Sequence, residues 1–166
     1  MFLPAHKQRQ MIVDREVSSV EMTEASLRRI ADLEPQLHAF ITLDEEGARA
    51  AAKEADAKLA AGTKPGVLQG VPIAVKDLEV TKNLRTTLGS SLFEDWVPNY
   101  DSVAVERLRN TGAVILGKTN TPEFGNIGKF ATSKRSGAYW NGTTRSLCRF
   151  EVKTRNRSFF FSFLQF

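Results

Sequence analysis

The sequence predicts an α/β protein, because two apolar runs are separated by a helical segment. Residues 71–75 (VPIAV) and 113–117 (AVILG) are apolar without alternation, which is typical of strands covered on both faces. Between them, Asp101 is placed to cap a helix that runs to Asn110. Strand, helix and strand in this order indicate a layered α/β sheet.

The first predicted helix begins at a capping box. Ser18 and Glu21 are three residues apart, so the serine hydroxyl and the glutamate carboxylate can satisfy free N–H groups at a helix start. The apolar residues that follow at helical spacing are Val20, Leu27 and Ile30. We expect Pro35 to end this helix.

A short strand and a second helix follow. Residues 40–43 (FITL) predict the strand, and Asp44 is placed to cap a helix over residues 45–61. This helix is rich in Ala, with Lys and Glu on its outer face. The turn-forming residues that predict a loop after it are Gly62, Pro65 and Gly66.

Composition excludes several classes of protein. The 166 residues are 42% hydrophobic and 25% charged, as in ordinary soluble domains. The N-terminus has no apolar segment long enough for a secretory signal. The longest apolar run, residues 159–166, is far shorter than the roughly 20 residues of a membrane span. Cys148 is the single cysteine, which excludes an internal disulfide framework. We therefore expect a cytoplasmic protein that does not contact membranes.

The sequence gives no indication of a bound metal or cofactor. Its two histidines, His6 and His38, are too far apart in sequence to indicate a metal site. We predict that both are surface or packing residues. Neither a metal nor a cofactor is therefore expected.

The basic residues are concentrated in the last quarter of the chain. The net charge is +4, but residues 129–166 hold eight basic residues and one acidic residue, whereas residues 1–128 hold 15 basic and 18 acidic residues. From residue 136 onward no helical or alternating period is sustained, and FFFSF at residues 159–163 would favour aggregation on a folded surface. We therefore predict a domain portion over residues 1–141 and a basic, Phe-rich tail over residues 142–166 that encodes no native element.

Lys76 gives the strongest local indication of chemistry, since it ends the predicted strand over residues 71–75. A lysine at a strand end that faces a cleft can be desolvated, which lowers its pKa and lets the neutral amine act as a base. Serine hydrolases of the Ser–Lys kind need such a base, because without an imidazole another group must accept the serine proton. The alternative, which is more common for these residues alone, is a solvated pair with Asp77.

Several separated motifs resemble the N-terminal part of the amidase signature family. The motifs are residues 70–77 (GVPIAVKD), 86–90 (TTLGS), 101–103 (DSV), 107–113 (RLRNTGA) and 117–125 (GKTNTPEFG). Their order and spacing match that family over about residues 15–130. The resemblance is specific because several separated motifs agree.

This resemblance implies a Ser–cis-Ser–Lys triad that hydrolyses or transfers amides through an acyl-enzyme. Lys76 matches the family's catalytic lysine, the general base that receives the proton through a bridging serine. Asp77 is expected to support the strand end. Phe124, Gly125 and Asn126 lie in the segment that leads into the family's substrate cleft and are candidate substrate-binding residues, with turn and packing roles as the alternative. The implied substrate is a small-molecule amide. The implied fold is a partial amidase-signature fold, a mixed sheet with flanking helices whose C-terminal part is missing.

The sequence departs from the family after the last of these motifs. The family continues with a Gly-Gly-Ser-Ser-Gly-Gly loop that supplies the bridging serine, and then with the nucleophilic serine and the oxyanion-hole amides. The 166 residues contain no such loop. Four other serines lie at the wrong positions to replace the bridging or nucleophilic serine, namely Ser90, Ser91, Ser133 and Ser146. Loss of the nucleophile costs on the order of 10⁶ in kcat, so we expect this polypeptide to be inactive as an amidase. We also expect a marginally stable or aggregation-prone product unless a partner completes the sheet.

Three interpretations of the sequence stay open. The first is an amidase-family enzyme whose C-terminal part has been lost. For that enzyme we prefer a general amide hydrolase to a glutamyl-tRNA amidotransferase subunit. The second is a functional tail that binds nucleic acid through phosphate contacts and stacking, which we favour less because no recognisable motif for it is present. The third is a non-catalytic module that docks on a full-length amidase relative.

Overall fold

A three-stranded mixed sheet forms the centre of the fold. The computed structural model describes three stretches of the chain, residues 3–126, 149–153 and 158–162. Strand β1 (Phe40–Leu43) is antiparallel to β3 (Val114–Thr119), and β3 is parallel to β2 (Pro72–Lys76), in the order β1-β3-β2. The predicted α/β fold with a mixed sheet is therefore confirmed.

Four α-helices accompany the sheet within residues 3–126. They are α1 (Ala5–Val13), α2 (Ser19–Leu37), α3 (Glu45–Ala60) and α4 (Val103–Asn110). Helix α1 lies outside the elements that the sequence predicts. Helix α3 matches its prediction closely, with the Asp44 side chain accepting a hydrogen bond from Gly47 N at 3.0 Å.

Helix α2 begins as predicted and ends two residues later than predicted. Both bonds of the capping box are present, since Ser18 Oγ accepts from Glu21 N at 3.0 Å and a Glu21 carboxylate oxygen accepts from Ser18 N at 2.9 Å. The prediction that Pro35 ends the helix is wrong, because Pro35 removes only its own N–H and the helix continues to Leu37. Its end is His38, which adopts the left-handed conformation (φ 47°) and donates its N–H to Glu34 O.

The predicted cap of α4 is wrong by one residue. Ser102 is the N-cap, with its Oγ accepting from Val105 N at 3.3 Å. The Asp101 carboxylate instead accepts from Lys82 N at 2.6 Å and from Arg109 Nε at 2.9 Å. Asp101 therefore ties the loop after β2 to the outer side of α4.

Two apolar clusters cover the two faces of the sheet. The first joins sheet residues to α1, α2 and α4 through Ile73, Val75, Ile115, Ile12, Met22 and Val105. The second joins the opposite face of β3 to α2 and α3 through Val114, Leu116, Leu27, Ile30 and Ala52. All six residues of β3 are buried, so the prediction of strands covered on both faces is confirmed.

A close approach between β1 and β3 and a register shift between β2 and β3 shape the end of the sheet. Gly117 has φ 154°, and a Cβ there would lie 2.2 Å from the backbone oxygen of Thr42 on β1. The register between β2 and β3 shifts between Ile73 and Val75. Beyond this irregularity Lys76 and Thr119 lie opposite each other, and the two parallel strands finish at one edge.

The structure also contains an antiparallel pair of strands near the C-terminus. Strand β4 (Arg149–Lys153) pairs with β5 (Ser158–Ser162), with Phe150 opposite Phe161. Both strands lie within the predicted basic tail, residues 142–166, and are rich in Phe and Val, which favour extended backbone. That this tail encodes no native element stays a prediction. The predicted boundary between residues 141 and 142 lies outside the described residues.

Candidate active site

Three chain segments meet where β2 and β3 end, which is the edge at which α/β sheets commonly bind ligands. The segments are residues 76–79 after β2, the loop over residues 86–90, and residues 119–126 after β3. Asp77 N donates to Thr119 O at 3.0 Å, and Phe124 N donates to Leu88 O at 2.8 Å. These two bonds join the first segment and the loop to the third.

Lys76 is the last residue of β2 and lies between the core and the surface. Val75 before it is 2% exposed, whereas Lys76 is half-buried. Asp77 follows directly in the turn after the strand and is fully buried. Lys76 is therefore a partly shielded amine at the strand edge, and its role as the base stays a prediction.

Asp77 holds the loop over residues 86–90 against the end of β2. Its carboxylate is fully buried, and Oδ2 accepts hydrogen bonds from Thr87 N at 3.0 Å and from Thr87 Oγ1 at 2.5 Å. Charge-assisted bonds of this kind are stronger than neutral ones. Asp77 thus supports the strand end, which is the role that its place in the sequence predicts.

Lys118 is a buried lysine that the sequence alone does not single out. Its side chain is fully buried, and Nζ lies 3.4 Å from Asp77 Oδ1, 2.8 Å from Thr86 Oγ1 and 2.5 Å from Glu79 O. Burial lowers the pKa of Lys118, and the carboxylates of Asp77 and Glu79 oppose that shift. The one signal in the sequence is that Lys118 directly continues a buried apolar run.

The candidate substrate-binding residues lie beside this edge. Phe124 is the middle residue of a single 3₁₀ turn (Glu123–Gly125) and is 53% exposed, and Asn126 is exposed. Gly125 has φ 70°, and a Cβ there would lie 2.6 Å from the Leu78 side chain. The structure thus brings Phe124 and Gly125 against the segments that follow Lys76, while contact with a substrate stays a prediction.

Ser90 is engaged in local hydrogen bonds at this edge. Its hydroxyl donates to Glu123 Oε1 at 2.7 Å and accepts from Leu92 N at 3.3 Å. The side chain therefore joins the loop over residues 86–90 to the turn that carries Phe124. This structural role fits the exclusion of Ser90 as a substitute for the family's serines.

The described part of the chain offers neither a clustered metal site nor a spanning helix. Within residues 3–126, 149–153 and 158–162, no three His, Cys, Asp or Glu residues are grouped so that they could hold a metal ion. In the same residues, every helix is too short or too polar to cross a membrane.

The family assignment follows from a comparison with family models. The model described as Amidase matches residues 21–145. The chain belongs to the amidase signature family. The matched range contains Lys76 and all the motifs that carry the resemblance, so that resemblance is confirmed.

The curated relatives are longer than this chain. In Acidothermus cellulolyticus, the A subunit of glutamyl-tRNA(Gln) amidotransferase is 51% identical over 114 residues, which are 69% of this chain and 23% of the relative. The protein of the same name from Azoarcus sp. is 50% identical over 139 residues, which are 82% of this chain and 28% of the relative. The chain thus spans about a quarter of the length of these relatives.

Solved structures show the same partial fold. The peptide amidase of Stenotrophomonas maltophilia superposes with a TM-score of 0.68 at 35% identity, over 72% of this chain and 25% of the amidase. A 6-aminohexanoate cyclic dimer hydrolase superposes with a TM-score of 0.70 at 28% identity, over 82% of this chain and 27% of the hydrolase. The predicted partial amidase-signature fold is therefore confirmed.

Proposed function

We propose that this chain supplies the lysine-bearing N-terminal portion of an amidase-signature enzyme, with Lys76 as the general base. The observation that carries the proposal is the position of Lys76. It stands at the end of a buried parallel strand, within a family motif, where two loops are fastened by Asp77 and Lys118. A general base must be held within hydrogen-bond reach of the proton that it accepts, and the end of a buried strand can hold it in a fixed position.

In this proposal the neutral amine of Lys76 accepts a proton that a bridging serine relays from the nucleophilic serine. The nucleophilic oxygen attacks the amide carbonyl, the C–N bond breaks, and the leaving amine takes up the proton. The acyl-enzyme is then resolved by water or by another acceptor. Both serines belong to the part of the family's sequence that these 166 residues do not contain.

The 166-residue polypeptide is therefore expected to have no amidase turnover by itself. Loss of a triad nucleophile costs on the order of 10⁶ in kcat, or roughly 8 kcal/mol of barrier. General-base help from Lys76 is worth about 10² to 10⁴ in rate. It cannot compensate for the missing nucleophile.

The name of the curated relatives supports amide transfer to glutamyl-tRNA(Gln) as the reaction of the complete enzyme. It favours the amidotransferase over the general amide hydrolase that the sequence alone led us to prefer. Because that name also marks each relative as one component of an assembly, we propose that this portion works together with further polypeptide. Amide hydrolysis is the second candidate. It is supported by the fold of the 6-aminohexanoate cyclic dimer hydrolase, which matches over 82% of this chain.

A hybrid enzyme tests the proposal. Residues 21–126 replace the corresponding segment in the Acidothermus cellulolyticus relative, and amide transfer to glutamyl-tRNA(Gln) is measured beside hydrolysis of simple amides. The hybrid should turn over, and Lys76→Ala should reduce kcat by at least about 10². The matched control is Lys82→Ala, which changes an exposed lysine in the following loop and should leave kcat within twofold.

The outcomes separate the two parts of the proposal. Retention of activity by Lys76→Ala would remove Lys76 from the mechanism. Amide hydrolysis by the 166-residue chain alone, abolished by Lys76→Ala, would contradict the expected lack of turnover.

A further inference from the structure

Phe124 combines two features that are each unfavourable for an aromatic residue. Its backbone adopts the left-handed conformation (φ 49°, ψ 25°), in which the Cβ crowds the following carbonyl oxygen. The residue is also 53% exposed, so much of the ring gains nothing from burial. Backbone strain of this kind is often retained because the placement of the side chain serves a function. The placement of Phe124 is therefore to be explained by function rather than by stability.

The backbone of Phe124 is held by the loop over residues 86–90. Phe124 N donates to Leu88 O at 2.8 Å. The loop is itself fixed, because Thr87 donates its N–H and its hydroxyl to the buried carboxylate of Asp77. Thr87 Oγ1 also accepts from Gly89 N at 3.1 Å. Phe124 is therefore tied to a loop that is anchored at the end of β2.

A side-chain hydrogen bond fastens the residue before Phe124 to the same loop. Ser90 Oγ donates to Glu123 Oε1 at 2.7 Å, and Ser90 is buried. A hydrogen bond to a carboxylate is stronger than one between neutral groups. Glu123 belongs to the same 3₁₀ turn as Phe124 (Glu123–Gly125). The turn is thus held at two adjacent residues, by the side chain of Glu123 and by the backbone of Phe124.

Ser90 also sets the position of a second aromatic ring. Its hydroxyl accepts from Leu92 N at 3.3 Å and caps the 3₁₀ turn Ser91–Phe93. The ring of Phe93 meets the ring of Phe124 edge-on, with the ring centroids 6.2 Å apart and an interplanar angle of 88°. Edge-to-face pairs at this separation are favourable. One hydroxyl therefore joins the turn that carries Phe93 to the turn that carries Phe124.

We propose that Ser90 and Glu123 are positioning residues that present the ring of Phe124 to the carbon skeleton of the amide substrate. This inference rests on the proposed function, in which the segment that follows β3 and carries Phe124 begins at Thr119, opposite Lys76 in the sheet. A phenyl ring has no proton or charge to transfer, so Phe124 binds and orients the substrate through apolar contact. Ser90 and Glu123 act through that ring, without contact with the substrate themselves.

The contact between the two rings gives a first test, in the full 166-residue chain. Nuclear Overhauser effects between the ring protons of Phe93 and Phe124 are measured by NMR. Ser90→Ala and Glu123→Ala should each lose them, because each variant removes the side-chain bond between the two turns. Glu123→Gln should keep them, since its amide oxygen can still accept from the Ser90 hydroxyl. The matched control is Ser91→Ala, at the neighbouring exposed serine, which should also keep them.

The hybrid enzyme gives the second test, through the split between KM and kcat. Ser90→Ala should raise the KM for the amide by about three- to tenfold, the range that corresponds to one lost hydrogen bond. It should leave kcat within about twofold, because the loss of a binding interaction alone changes KM. Phe124→Ala should raise KM at least as much. Because Ser90 acts through the ring, the double variant Ser90→Ala/Phe124→Ala should have the KM of Phe124→Ala within about twofold.

Three results would overturn the inference. They are ring contacts that persist in either Ser90→Ala or Glu123→Ala, a fall in kcat without a rise in KM, and KM changes of Ser90→Ala and Phe124→Ala that multiply in the double variant. If Ser90→Ala does not fold, as loss of signal dispersion would show, Glu123→Ala replaces it in both measurements. The ring contacts need no turnover, so they decide even where the parent hybrid is inactive, a result that would contradict the proposed function alone.

Discussion

Removing one partner of the buried Lys118–Asp77 pair should cost the fold several kcal/mol. The change Lys118→Met keeps much of the side-chain volume and deletes the charge. It leaves the carboxylate of Asp77 buried without its counter-ion and Thr86 Oγ1 without its donor, whereas Glu79 O keeps the hydrogen bond from Thr81 Oγ1. The destabilisation therefore comes mainly from groups that stay behind.

The geometry sets the magnitude. Two unit charges 3.4 Å apart attract by about 5 kcal/mol at an effective dielectric constant of about 20. The desolvation of both ions offsets much of that attraction, but breaking such a pair from one side costs about 3–5 kcal/mol. Since domains are stable by about 5–15 kcal/mol in total, this single change removes a large share.

Urea unfolding followed by circular dichroism measures the effect. With a denaturant slope of about 2 kcal/mol per molar, the midpoint of Lys118→Met should fall by about 2 M relative to the parent. Lys82→Met, at an exposed position, is the matched control and should change the free energy of unfolding by less than about 0.5 kcal/mol. The double variant Asp77→Asn/Lys118→Met should lose about 2 kcal/mol less than the two single variants together.

Two results would refute this reasoning. One is a loss of less than about 1 kcal/mol in Lys118→Met, which is the range of an exposed ion pair. The other is additivity of the two single changes within about 0.5 kcal/mol, because partners in contact should couple.

Three further predictions use the same unfolding measurement. Ser18→Ala should cost about 1 kcal/mol by removing the cap of α2, and an unchanged midpoint would show that the cap is not needed. Leu27→Ala, in the core between α2 and the sheet, should cost about 2–5 kcal/mol, whereas Leu92→Ala, at an 81% exposed position, should cost less than about 0.5 kcal/mol; equal costs would contradict the assigned core. The free energy of unfolding should also rise as the pH approaches the ordinary lysine pKa of 10.5, because burial lowers the pKa of Lys118 and the unfolded chain then binds more protons than the folded one. Lys118→Met should abolish that rise, and a rise of equal size in the variant would assign it to another group.

Most of the fold was predictable from local signals. The capping box at Ser18, the Asp44 cap and the unalternating runs of β2 and β3 each reflect a short-range physical rule, and each corresponds to an observed element. The errors at Pro35 and Asp101 are of one or two residues. At Asp101 and Ser102 either of two neighbouring side chains could cap the helix, so sequence spacing alone does not decide. At Pro35 the last helical turn continues past the proline to Leu37, which spacing does not report either.

The candidate site was predictable only in part. Lys76 could be selected because it ends an apolar run inside a recognisable motif. Lys118 could not, because its importance depends on contacts with Asp77, Glu79 and Thr86, which are 32 to 41 residues away in the chain and meet it only in the folded structure. A single sequence has no pattern that reports such a contact.

Single-turnover acylation of the hybrid enzyme tests the central claim most directly. The formation of the acyl-enzyme is followed by rapid mixing in the parent hybrid, in Lys76→Ala and in the Lys82→Ala control. If Lys76 is the base, Lys76→Ala should slow acylation by about 10² to 10⁴, and Lys82→Ala should acylate at the parent rate. Acylation by a folded Lys76→Ala hybrid within threefold of the parent rate would contradict the account.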